Sequence, residues 1–345
     1  MAIKGGAIAC AVVLTAATAF AQTQQPQFKT LKADFVPGEK TIFIDDFTDM
    51  GPGDAPPHFK TRGAAPELRE AGSLRELTAV ANGTLIPNLT SLPKNFTLET
   101  EGTFDASTGR VMATYSFFSK TREAFQWVIT VHKDYTDLVA SIRLPKYEEL
   151  GRTRIKDPGL IKQPIKLALW MQDGRVRMFV NGEKHLDFNQ VELPPIDKVE
   201  MVTGFWGGKP SLGYRLVRFA ESTPDVSKTI LASGRYVSHG ILFDTNSDRL
   251  KPESAAPIQA VAKALETDPA LKLLIEGHTD AAGSAEANLD LSKRRAEAVK
   301  MVLVSQFTVA ASRLTTNGLG ATKPIDSNDT PKGRAQNRRV EFVRQ

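Results

Sequence analysis

Two hydrophobic rhythms divide the chain. Over residues 41–221 apolar positions recur at period two in short runs rich in β-branched and aromatic residues, notably 110–119, 125–131, 138–144 and 165–171. That alternation marks strands with one buried face. Asp173-Gly174 and Asn181-Gly182 punctuate the last of these runs. Positive φ is cheap at Asn, Asp and Gly, so 165–172, 175–180 and 184–188 are predicted to form a hairpin-linked meander. Many short strands with little helical pattern predict an all-β sandwich.

The rhythm changes near residue 236. Residues 240–243 read as a short strand feeding the polar loop Asp244-Thr245-Asn246-Ser247. Pro252 suits the first turn of a helix running to about Thr267, with Ile258, Val261, Ala262 and Leu265 on its buried side. A second buried strand at 271–276 ends in Gly277-His278-Thr279-Asp280, and the small residues 281–285 turn the chain into another helix. In that helix Leu289, Ala296, Val299 and Leu303 recur at helical spacing up to about Gln306. Residues 314–318 and 340–343 read as closing strands around a polar loop at 323–333. The order strand, helix, strand, helix, strand, strand predicts an α/β sandwich with helices on one face, and an α+β chain overall. The patternless Ser, Thr, Pro, Asp and Lys of 222–235 read as the linker between 41–221 and 236–345.

Length and composition agree with two domains: 345 residues exceed one ordinary domain, and 41% apolar residues can fill the cores. The formal charge of +5 is spread along the chain, and no basic run of the nucleic-acid-binding kind is present. Residues 1–21 carry Lys4, the apolar stretch 7–20 and Ala19-Phe20-Ala21, the pattern of a secretory signal cleaved before Gln22. A polar leader, 22–40, follows. Cys10 is the sole cysteine and lies inside the signal, so the mature chain is expected to have no thiol, disulfide or thiolate metal site. The short apolar run before Cys10, with Ala7 within it, suits a lipid-bearing cysteine poorly. With no later apolar segment of spanning length, an exported periplasmic protein without a transmembrane segment is expected.

The chemistry concentrates at one loop and one helix. Asp280 stands at a strand's end, and Asn288, Leu291 and Arg295 share a helical stripe at i, i+3 and i+7. A carboxylate and a guanidinium converging on a loop mouth can hold the ammonium and the carboxylate of a zwitterion. The same two residues can equally pair with each other or face solvent.

GHTD at 277–280, the block N-x-x-L-S-x-x-R-A-x-x-V at 288–299, FDTNS at 243–247 and GRAQNRRVEF at 333–342 occur in order. Together they resemble the OmpA-like peptidoglycan-binding domain over about 236–344. The resemblance implies a βαβαββ α/β sandwich at the outer membrane or in the periplasm of a Gram-negative envelope. It also implies that Asp280 and Arg295 hold the free amino-acid end of meso-diaminopimelate in the peptidoglycan stem peptide. Asn288, Arg338, Asp244, Thr245 and Asn246 fall on the family's further site positions. Of Arg338 and Arg339, at most one faces the site if the strand is regular. His278 reads as a packed or hydrogen-bonding residue. No nucleophile with its base adjoins the loop, so binding without catalysis or cofactor is expected.

The first half is less specific. FIDDF at 43–47, LPKNFTLE at 92–99 and GRVRMFVNGEKHLDF at 174–188 resemble concanavalin-like or laminin-G-like jelly-roll sandwiches. That resemblance implies a face for a glycan or a protein partner. Glu99 and Glu101 share one strand face and are candidates for a glycosidase pair, which would make the sandwich a glycan- or wall-degrading enzyme. Gly102-Thr103 stands where such a motif continues with acid. Asp45, Asp46, Asp49 and Asp54 are candidate calcium ligands or plain solvated turn residues. Trp127 and Trp170 read as core, and Trp206 as the most exposed tryptophan.

Overall fold

A computed structural model describes residues 24–30, 35–71, 74–143, 145–156, 163–222 and 226–345. The signal segment with Cys10 and positions 223–225 of the expected linker lie outside the described residues. The first half is built from β1 (Lys40–Asp45), β2 (Phe59–Gly63), β3 (Glu67–Ala71), β4 (Leu74–Ala79), β5 (Gly83–Pro87), β6 (Phe96–Asp105), β7 (Arg110–Ser119), β8 (Arg122–Val131), β9 (Thr136–Ile142), β10 (Glu148–Ile155), β11 (Pro164–Gln172), β12 (Arg175–Val180), β13 (Glu183–Phe188), β14 (Lys198–Trp206) and β15 (Ser211–Glu221).

These strands form two antiparallel sheets. One runs β13-β12-β11-β6-β15-β4-β3 with β1 also on β15, and the other β10-β9-β8-β7-β14-β5-β2. Alternate residues of both sheets, such as Leu98, Tyr115, Trp127, Leu169, Met201 and Phe219, meet in one core. The two predicted hairpins form, with φ of 50° and 74° at Asp173-Gly174 and of 50° and 82° at Asn181-Gly182. Trp127 is fully buried, whereas Trp206 is 43% exposed with Arg110 stacked 4.6 Å from its ring. Trp170 is buried on the outer side of its sheet, in a small cluster covered by Phe35 and Val36 of the leader.

The second half comprises α1 (Val226–Ser233), β16 (Arg235–Ser238), α2 (Ala255–Thr267), β17 (Leu273–His278), α3 (Ala285–Phe307), β18 (Leu314–Gly320), α4 (Pro331–Asn337) and β19 (Val340–Arg344). Its sheet runs β16-β19-β17-β18, with only β17 and β18 parallel. Ile258, Val261, Leu265, Ile275, Val299, Leu303 and Phe342 belong to a second, separate core.

Four expectations need correction. The first strand is Arg235–Ser238, not 240–243. At 240–243 only the bridge Phe243 to Leu250 forms, because Leu242 N–H bonds Ser254 Oγ and its carbonyl accepts from Lys251 N–H. The supposed linker holds α1, with Val226 and Ile230 buried in the second core. The polar stretch 323–333 ends in the start of α4, whose cap is Thr330 Oγ accepting from Gly333 N–H at 3.0 Å with Pro331 beginning the helix. Leu289 is 37% exposed rather than buried. At 23 residues α3 is about 34 Å long, against about 20 Å for the six-residue β17, so its first turns overrun the sheet. There the contact is made by small groups: a Cβ on Gly277 would sit 2.3 Å from Ser292 O, and Ser292 Oγ accepts from Gly320 N–H at 2.9 Å.

The two halves are joined by buried polar contacts. Glu39 accepts from the Tyr236 hydroxyl, from Ser238 Oγ at 3.2 Å and from His239 N–H at 2.6 Å, and burial raises its pKa. Gln336 Nε2 donates to Thr41 O at 3.0 Å, and at the surface Lys166 pairs with Glu253. The leader also crosses the second half: Phe28 is fully buried in its core.

Candidate functional site

The loop after β17 is pinned from several sides. Thr279 N–H bonds Gly320 O at 3.0 Å, and Ala281 N–H bonds Asn328 Oδ1 at 3.0 Å. Asn288, buried on α3, donates Nδ2 to Ala282 O at 2.8 Å. Ser284 Oγ caps α3 by accepting from Ala287 N–H at 3.2 Å. Within this frame Asp280 uses Oδ1 to accept from Ala282 N–H at 3.1 Å and directs Oδ2 to Arg338 Nη1 at 2.7 Å.

Arg295 approaches from two turns beyond Asn288 along α3. Its Nε donates to Ser247 O at 2.9 Å, Nη2 lies 3.4 Å from Asp244 O, and the guanidinium stands 4.8 Å from the Phe243 ring centre. Burial lowers its pKa to about 10, which leaves it a cation at neutral pH, and the Asp280 charge acts in the opposite sense. Backbone carbonyls of the 243–250 loop therefore position this guanidinium. The loop is tied by Asp244 N–H to Arg249 O at 2.9 Å and Ser247 N–H to Asp244 O at 3.1 Å, with Asn246 at φ 53°.

Asp280, Arg295, Arg338 and Asn288 thus gather about one loop. The direct partner of Asp280 is Arg338, 58 positions away, a pairing that spacing within the 277–299 block does not reveal. Thr245 and Asn246 are exposed, and the Asp244 carboxylate pairs with Arg249 at 3.1 Å, so Asp244 serves the site through its carbonyl. Arg294 pairs with Asp290 at 2.9 Å and reaches Asp248 of the 243–250 loop at 3.7 Å. Arg295 and Arg338 line a cavity of about 250 Å³ whose opposite wall comes from the sandwich.

Next to the loop, His278 is buried 3.5 Å from Glu341, and Arg339 donates to Glu341 at 2.6 Å. Burial and the Arg339 charge lower the His278 pKa to about 4, so the ring is neutral. Glu276, His278 and Glu341 form the one group among the described residues with three ligand atoms close enough to share a metal. Arg339 and Arg235 already engage both oxygens of Glu341, which balances its charge without an ion. Sequence reasoning had His278 packed but did not find these partners.

The first-half candidates have other roles. Glu99 is paired with Arg218 on the sheet face turned to the second half, so Glu99 and Glu101 do not present two free carboxylates. Asp46 caps Thr48, Asp54 accepts from Gly51 N–H at 2.6 Å, Asp49 bonds His58 at 2.8 Å, and Asp45 accepts from Phe47 N–H at 2.8 Å. These are turn-closing bonds rather than a convergent calcium cage.

The profile of the OmpA family matches residues 242–338, a span containing Asp280, Arg295 and Arg338. Over 107 residues, 31% of this chain and 67% of the relative, the chain is 41% identical to the putative lipoprotein YfiB of Escherichia coli. The chain belongs to the OmpA family. Membership rests on the C-terminal part. There it is also 43% identical over 105 residues to the probable lipoprotein YiaD of Escherichia coli, covering 30% of this chain and 48% of that protein. The peptidoglycan-binding protein ArfA of Mycobacterium bovis is 42% identical over 103 residues, 30% of this chain and 31% of its own length. Among solved structures, the peptidoglycan-associated lipoprotein of Burkholderia pseudomallei is similar at 34% identity, with 33% of this chain and 92% of that chain covered and a TM-score of 0.29. The chain spans about half, or less, of the length of the first curated relatives it matches. No helix among the described residues of this OmpA-family chain is long and apolar enough to cross a membrane.

Proposed function

We propose that this is an exported, non-catalytic envelope protein whose C-terminal domain, 236–345, binds peptidoglycan non-covalently through meso-diaminopimelate. The observation that carries the reading is that Asp280 and a half-buried, backbone-held Arg295 gather about one loop mouth, with Arg338 bonded to Asp280 and lining the adjoining cavity together with Arg295. Asp280 takes the ligand ammonium. Arg295 spends Nε and Nη2 on loop carbonyls and offers Nη1 to the carboxylate, while Arg338 shares itself between Asp280 and the ligand. A relative named as a peptidoglycan-binding protein supports the ligand class.

The test is co-sedimentation with purified sacculi, with free diaminopimelate as competitor. Each charge-assisted bond contributes roughly 1.5–3 kcal/mol, so Asp280→Ala or Arg295→Ala lowers affinity about tenfold or more. Unchanged binding by both variants rejects the site. Lysine-type peptidoglycan, which offers the ammonium without the carboxylate, binds weakly on this reading.

For the sandwich, 41–221, we propose a concanavalin-like fold presenting a second face to a glycan or an envelope protein. Trp206, exposed and stacked with Arg110, is the surface aromatic that supports a sugar platform. The enzyme alternative loses its carboxylate pair to the Glu99 and Arg218 contact.

A further inference from the structure

The cavity beside Arg295 and Arg338 is not made by the C-terminal domain alone. Its far wall is Pro37 of the leader, Ile44 of β1 and Leu216 of β15, and His239 lines it as well. Its contents are those of a site for a peptide residue. Of the four arginines on its wall Arg218 is held by Glu99 and Arg339 by Glu341, which leaves Arg295 and Arg338 to offer donors to a carboxylate. The apolar wall suits a small aliphatic group. His239 Nε2 bonds Gln336 O at 3.1 Å and so carries the proton, which leaves Nδ1 as a buried acceptor without a hydrogen-bond partner. An orphaned acceptor of this kind is costly unless a ligand or water fills it. At about 250 Å³ the cavity equals several water molecules of about 30 Å³ each, enough for one small amino-acid residue and too little for a glycan chain.

We propose that this cavity is a second subsite, which takes the small, carboxylate-bearing residue attached to diaminopimelate in the stem peptide. Its carboxylate lies on Arg338, its N–H on His239 Nδ1, and its methyl group against Ile44 and Leu216. The proposal rests on the diaminopimelate reading and adds that the sandwich takes part in recognition.

Calorimetric titration of the full chain with free meso-diaminopimelate and with the tetrapeptide L-Ala-D-Glu-meso-diaminopimelate-D-Ala tests it. The tetrapeptide is expected to bind roughly tenfold tighter, the worth of one or two well-made contacts. Leu216→Glu, at a half-buried wall position, removes that gain and leaves free diaminopimelate unchanged. His239→Phe, which keeps the ring and loses the acceptor, does the same. Equal affinity for both ligands in the unsubstituted protein, or loss of both ligands in equal measure in the two variants, overturns the subsite while the anchor reading stands. Failure of free diaminopimelate to bind at all rejects the anchor reading itself, and the subsite with it.

Discussion

His239 shows how single residues tie the fold to conditions. Burial, then the charges of Arg218 and Arg339, lower its pKa to about 4, against the opposing pull of the backbone at Gln336 and Glu39. The folded value lies below the unfolded one, so the unfolded chain binds the extra proton between about pH 6.5 and pH 4. Stability is therefore fully present above pH 6.5 and is lost as pH falls toward 4, by up to about 3 kcal/mol from this ring. Thermal melts of the intact protein and of His239→Phe between pH 7.5 and pH 4.5 check it: the variant loses less over that range. Equal slopes would show that the ring does not sense pH. At this scale the sequence placed Asp280, Asn288 and Arg295 near one another, because one stands in the loop and the others share a helical stripe. It hid the ion pair of Asp280 with Arg338, and the cluster about His278, because those partners come from distant strands and follow no period.

Among elements, the leader stands out. Gln25 Nε2 donates to Asp248 O at 3.1 Å while its Oε1 accepts from Leu250 N–H at 2.8 Å, so one amide clamps the loop whose carbonyls hold Arg295. Phe28 anchors the strap, with its N–H on Gln306 Oε1 at 2.6 Å and its carbonyl on Gln259 Nε2 at 2.8 Å. Gln25→Ala is expected to speed hydrogen exchange at Leu250 and to weaken diaminopimelate several-fold with little loss of melting temperature. An unaltered Leu250 exchange rate sinks that expectation. Phe28→Ala costs roughly 3–5 kcal/mol through the cavity it leaves in the second core. Regular strands and long helices were readable because their burial repeats. The leader, α1 and α4 were not, since one buried Phe, two apolar residues or a Thr-Pro start make no periodic signal.

At the scale of the whole molecule, Glu39 is the junction. It is 6% exposed and satisfies three donors of the second half from a position at the edge of β1. Glu39→Ala leaves those donors buried and unmet, at a cost of about 3 kcal/mol or more. Differential scanning calorimetry is expected to show one transition for the unsubstituted protein and two for the variant, with the second core melting first. A single unshifted transition in the variant would mean that the halves are held together elsewhere. The two-layer β architecture and the α/β half could be read from periodicity, but their docking could not, because it is made by isolated polar residues.

The strap also decides where a pull would be felt. Residues 24–30 dock on the same body that carries Asp280 and Arg295, so tension entering upstream of residue 24 and leaving through a ligand gripped at that site runs through Phe28 and the second core. The sandwich, spliced between the strap and α1, lies beside that shortest path rather than along it.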